Sequence, residues 1–175
     1  MGPRLQRAGL QTHAMNLVPR NGDAGLDHLA GQLAAWIEAH FAAGQSIDLV
    51  GFSMGGLVAR YYVQRLGGIE RVRRFITMSS PHKGTWTAFL RQNRGARQMR
   101  PGSAFLQDLN RDAATLCRIE FTTIRTPFDL MIVPADSSEL GVGRSIRINV
   151  AAHPLMVRDR RVLDLVHRLL TQSVS

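Results

Sequence analysis

The hexapeptide Gly51-Phe52-Ser53-Met54-Gly55-Gly56 constrains this chain more than any other stretch. It follows an apolar run, Ile47-Asp48-Leu49-Val50, and precedes a helical pattern, Leu57-Val58-Ala59-Arg60-Tyr61-Tyr62-Val63. A serine between near glycines at a strand-to-helix junction reads as a tight turn. Such a turn strains the serine backbone and lifts its hydroxyl clear of the sheet, which makes Ser53 a candidate nucleophile. Glycines at 51 and 55 are expected to remove the Cβ atoms that would collide as strand and helix approach. The spacing alone is weak, because both residue types are common; the strand before and the helix after give it weight.

The rest of the chain reads as strands alternating with helices. Residues 12–18 look like a short strand, ended by Pro19 and the Asn21-Gly22 turn signal. Leu26, Leu29, Leu33, Trp36, Ile37 and Phe41 recur at helical spacing, with Asp27 as the expected cap and Gly44 as the stop. Further strands are expected at 46–52, 72–78, 118–126 and 144–150. Gly67-Gly68 ends the helix after Ser53, and Val162, Leu165, Val166 and Leu169 share one face of a last helix capped by Asp159. Between 84 and 118 no strand-like run occurs, and Phe89, Leu90, Phe105, Leu106 and Leu109 fit short amphipathic helices. Alternation of this kind predicts an α/β fold around a mostly parallel sheet of about five strands.

Composition removes several function classes. A hydrophobic fraction of 45% and a charged fraction of 20% belong to a globular chain, and 175 residues suffice for one domain. No apolar run is long enough to span a bilayer as a helix. The net charge of +9 comes almost wholly from arginine, since Lys83 is the only lysine among 22 basic residues. The arginines are spread along the chain, and neither of their clusters, Arg71, Arg73 and Arg74 or Arg158, Arg160 and Arg161, has interleaved aromatics, so no nucleic-acid partner is expected; anionic lipid or acidic substrates fit better. One cysteine, Cys117, allows no intrachain disulfide, and the six histidines lack metal-ligand spacing. The start, Met1 to Arg7, has no apolar core of a secretory signal, so the chain as recorded reads as cytoplasmic.

A serine hydroxyl is too weak an acid to attack an ester unaided; it needs a base, and the base needs an orienting carboxylate. On parallel sheets of this kind the partners follow in the order serine, acid, histidine, each in a loop after a strand. His153, in Ala151-Ala152-His153-Pro154, follows the strand at 144–150 and is the preferred base; His82, in Ser80-Pro81-His82-Lys83, is the second choice. Asp129, in Thr126-Pro127-Phe128-Asp129, follows the strand at 118–126 amid apolar neighbours and is the preferred acid. A carboxylate there is costly to bury unless an imidazole pairs with it. Asp136 is the second choice, and Glu139 lies beside it in the same polar turn.

Five stretches in this order also resemble the α/β-hydrolases, and within them the small bacterial lipases: Asn16-Leu17 to Gly22, GFSMGG, MSSPHKGT at 78–85, TTIRTPFDLMIVP at 122–134, and AAHPL at 151–155. The resemblance covers nearly all of the chain. It implies Ser53 as nucleophile, Asp129 as acid, His153 as base, the Met54 backbone N–H as an oxyanion donor, and 84–118 as a cap or short lid on a single domain, 1–175. It also implies an apolar strand ending in His-Gly ahead of residues 1–10. The domain is therefore expected to be N-terminally incomplete, with export if the true start lies upstream. The function expected is a serine carboxylic-ester hydrolase, a lipase or esterase working through an acyl-enzyme without cofactor or metal. The alternatives are a catalytically impaired binding module or truncated fragment that self-associates through an uncovered strand, and an acyltransferase or amidase using the same three residues.

Overall fold

Parallel strands buried on both faces need near-continuous apolar runs, and Phe75-Ile76-Thr77-Met78 is one, with all four residues buried. The computed structural model describes residues 1–19 and 21–171. Four strands among them form one parallel sheet in the order β1 (Ile47–Phe52), β2 (Val72–Met78), β3 (Glu120–Arg125) and β4 (Arg144–Arg147). The helices are α1 (Gly2–Arg7), α2 (Leu26–His40), α3 (Met54–Arg65), α4 (Arg94–Gln98), α5 (Ala104–Arg111) and α6 (Arg160–Thr171), with short 3₁₀ turns between.

Alternate side chains of the strands feed two layers. Phe75 and Phe121 meet Ile37, Tyr62 and Val63 of α2 and α3 on one face. Ile76, Met78 and Ile124 meet Val162 and Val166 of α6 and Leu5 of α1 on the other. A third cluster, Leu26, Leu29, Leu57, Val58 and Leu106, ties α2 and α3 to α5. The α/β architecture anticipated from the sequence is present, with four strands rather than five.

The expected strand at 12–18 is irregular chain instead. A strand exists only where a neighbour completes its backbone hydrogen bonds. Here residues 10–15 and 17 line one wall of a groove of about 570 Å³ whose other wall is β1, so the two do not pair. Nor does Asp27 cap α2. Gly25 holds that position at φ 88°, a left-handed value suited to glycine, and Asp27 sits in the first turn. From there its carboxylate pairs with Arg94 and accepts from Gln98 Nε2, which binds α2 to α4. The last helix is capped as expected, with Asp159 Oδ1 accepting from Arg161 N at 2.9 Å.

Candidate active site

All four strands run the same way, so the loops at their carboxyl ends gather on one rim, where sites on parallel sheets lie. Ser53 follows β1, Ser79 follows β2, Asp129 follows β3 and His153 follows β4. The ladder continues into these loops: Ser53 N donates to Met78 O at 2.9 Å, and Ser79 N to Ile124 O at 2.8 Å.

Ser53 has φ 53° and ψ −127°, a region that non-glycine residues rarely occupy, and α3 begins at the next residue. The strain is enforced by close approach. A Cβ on Gly51 would come within 2.5 Å of the Gly56 Cα, and one on Gly56 would land on the Ser80 hydroxyl. Gly55, which the sequence suggested as the second constrained glycine, has open space around it, so the tight pair is Gly51 and Gly56. Met54 opens α3, and its backbone N–H is one of the first-turn donors that lack an intrahelical acceptor.

Asp129 and His153 are brought together. His153 Nδ1 lies 2.8 Å from Asp129 Oδ2, and both side chains are nearly buried, at 8% and 2% exposure. Asp129 Oδ1 accepts from the backbone N–H groups of Met131 and Ile132 at 2.9 and 2.8 Å. Burial works against ionisation of this carboxyl. The His153 hydrogen bond, the Ile132 N–H and the nearby Ser79 hydroxyl outweigh it and hold Asp129 below its ordinary value. An ionised carboxylate only accepts, so Nδ1 carries the hydrogen and the Nε2 lone pair is left for chemistry. The imidazole packs on the Phe52 ring, centroids 4.7 Å apart, one residue before Ser53. Thr126 clasps the two loops: its hydroxyl donates to Val150 O at 2.6 Å and accepts from Val150 N at 3.1 Å.

The second-choice residues lie elsewhere. His82 is fully buried behind the rim, with Nε2 2.9 Å from Thr77 Oγ1 and its ring edge-on to Phe121. Burial, and then the Arg60 cation, push its pKa well below the ordinary histidine value, so it is held neutral. Asp136 is exposed and paired with Arg125 at 2.9 Å, and Glu139 binds the same guanidinium at 2.6 Å. Sequence reasoning missed Ser79 and Thr126. Ser79 has φ 44°, is fully buried, and its hydroxyl makes no hydrogen bond of regular geometry. The run Ser79-Ser80-Pro81 straight after a strand was the only trace of it. Among the described residues no group of three His, Cys, Asp or Glu side chains is disposed to hold a metal ion.

The geometry can be set beside known proteins. The profile of the palmitoyl protein thioesterase family matches residues 12–93. No curated protein sequence matches the chain. Among solved structures, the mature form of a Bacillus licheniformis lipase is similar over 86% of this chain and 75% of its own, with TM-score 0.67 and 14% identity. Polyneuridine aldehyde esterase is similar over 98% of this chain and 92% of its own, with TM-score 0.67 and 17% identity. An extracellular α/β-hydrolase from a Paenibacillus species is similar over 99% of this chain and 92% of its own, with TM-score 0.63 and 14% identity. The chain has the α/β-hydrolase fold and resembles the lipases and esterases built on it.

Proposed function

We propose that this chain is a serine carboxylic-ester hydrolase working through an acyl-enzyme on Ser53. The observation that carries the reading is the buried Asp129–His153 pair, its imidazole packed on the ring of Phe52, the residue before a serine held at φ 53°. His153 Nε2 takes the Ser53 proton as Oγ attacks the ester carbonyl carbon. Asp129 stabilises the imidazolium that forms and fixes its orientation. The Met54 N–H donates to the developing oxyanion. His153 then passes the proton to the leaving alcohol, the acyl group stays on Oγ, and a water activated by the same imidazole releases the acid. Residues 84–118 act as a cap over the rim. No cofactor enters any of these steps. The same chemistry opens thioesters, in keeping with the palmitoyl thioesterase profile match, and acyl transfer to an acceptor other than water needs no different residues.

The test is hydrolysis of a chromogenic short-chain ester by the chain and by Ser53→Ala, together with labelling by a fluorophosphonate probe. Turnover is expected to fall by about 10³ or more in the variant, with labelling confined to the serine form. Equal rates for the two proteins would remove the mechanism, and an unlabelled Ser53 would favour the silent binding module.

A further inference from the structure

Apolar side chains exposed singly are ordinary; exposed side by side, they mark a surface that meets something. Nine large apolar residues are exposed among the described residues, and seven of them stand on the rim around Asp129 and His153. Trp86, Phe89 and Leu90 belong to the turn that follows β2, with Leu90 85% exposed and Trp86 stacked on Phe89. Phe128, Leu130 and Met131 flank Asp129, with Leu130 83% exposed, and Leu155 lies two residues beyond His153. The first two groups are one surface. Trp86 N donates to Val133 O at 2.9 Å, and the hydroxyls of Thr85 and Thr87 both donate to Met131 O. By contrast Phe105 stacks on Tyr61, and Leu106 and Leu109 are buried, so these side chains pack the segment on the body while Trp86, Phe89 and Leu90 do not.

Charge says what the surface meets. From Lys83 to Arg100 the chain carries five cations and no carboxylate. Arg91 follows Leu90 directly and is exposed, and the Arg100 guanidinium lies 4.7 Å above the Phe89 ring. Among the described residues Arg94 is the one of the five in an ion pair, with Asp27. Protruding Trp, Phe and Leu tips skirted by arginines match the two layers of an anionic bilayer, acyl chains below and phosphates at the level of the guanidinium groups.

We propose that the rim formed by residues 86–91 and 128–131 docks on an anionic phospholipid surface, placing the mouth of the site against the lipid. The substrates reached from that position are acyl esters or thioesters held in the bilayer, an assignment that rests on the hydrolase reading above; the docking itself does not.

Co-sedimentation of the Ser53→Ala chain with vesicles of phosphatidylcholine alone, or with 30% phosphatidylglycerol, separates the two. Binding is expected only to the anionic vesicles, with a blue shift of Trp86 emission. Each basic residue near such a surface strengthens binding about fivefold, so Arg91→Glu should weaken it about tenfold or more, as should raised salt. Leu90→Asp, at a fully solvated position, should abolish binding while leaving hydrolysis of a water-soluble ester unchanged. Absence of binding, equal binding to neutral vesicles, or binding indifferent to both substitutions would overturn the docking. Binding by a chain without ester turnover would leave it standing and remove only the hydrolase reading.

Discussion

Two non-glycine residues among those described hold positive φ, Ser53 and Ser79, and they end adjacent strands. Strain of this kind costs about 1–3 kcal/mol and persists where the surroundings enforce it. For Ser53 the enforcement is visible in Gly51 and Gly56. For Ser79 the backbone is pinned by the Ser79 N–H to Ile124 O bond, and its buried hydroxyl faces Asp129, whose Oδ atoms already accept from Met131, Ile132 and His153. An orphaned hydroxyl beside a carboxylate with one acceptor position to spare is a positioning group waiting to close its bond. Replacing Ser79 with glycine should relieve the strain and raise stability by about 1 kcal/mol, read from the urea midpoint. Losing the hydroxyl should lower kcat about tenfold with KM unchanged, and move the acid limb of the pH–rate profile to higher pH, because Asp129 loses a donor that holds its carboxyl below the ordinary value. A variant that gains stability at wild-type kcat and pH profile would show Ser79 to be strain alone. This residue also marks where sequence reading stops. The order of Ser53, Asp129 and His153 was legible because each sits in a loop with its own signal. Ser79 leaves only the run Ser79-Ser80-Pro81, which marks a turn but not the left-handed backbone within it.

At the scale of elements, the segment between β2 and β3 is half rim and half anchor. Its far end is locked to α3: the buried Arg60 donates to Asn110 Oδ1 and Leu109 O at 2.8 and 2.7 Å, and Arg65 pairs with Asp108 and Asp112. Asn110 in turn donates to His82 O at 3.2 Å, so α5 is tied to the turn that leaves β2. Burial lowers the Arg60 pKa to about 9, and the residual cation helps keep His82 neutral. That neutrality has a pH signature. The unfolded chain protonates His82 near pH 6.5 while the folded chain does so only well below, so the unfolded state binds the extra proton between the two. His82 therefore makes no demand above about pH 6.5, and stability falls by about 1.4 kcal/mol per pH unit below it. Urea midpoints at pH 7.5, 6.5 and 5.5 should show this slope in the native chain and a flatter one in His82→Gln; parallel slopes would refute it. The sequence presented His82 as a rival base because it follows a strand, and that much was right. What hid its role is that Arg60, 22 positions upstream, reads as an exposed helix residue until α5 closes over it. The false strand at 12–18 has the complementary cause: a short run ended by a turn signal reads as a strand, but pairing is decided by a neighbour that the pattern does not contain.

For the molecule as a whole, the sheet ends differently on its two sides. β4 is short and follows into the turn that carries His153, while β1 is a full six-residue strand whose outer edge faces a groove. The groove of about 570 Å³ is walled by β1, by Trp36 and Phe41 of the α2 end, and by residues 10–15 and 17. Leu49, Val50 and Phe52 are only half-buried there, although the matching residues of β2 are fully so. An edge strand of this length offers a row of unpaired backbone donors and acceptors above apolar side chains, with Asp48 as the only charge along it. Net charge opposes association, but a net +9 carried by arginines along the whole chain is screened within about 8 Å at physiological salt, whereas strand pairing acts at contact. We propose that the chain associates with a second copy through this edge. Sedimentation velocity over a hundredfold range of concentration should show a dimer that strengthens with salt, opposite in sign to the vesicle binding proposed for the rim. Ala14→Glu, an exposed position on the groove wall, should weaken the dimer without altering hydrolysis of a soluble ester. A monomer throughout that range, at low and high salt alike, would leave β1 as an edge closed by the groove walls alone.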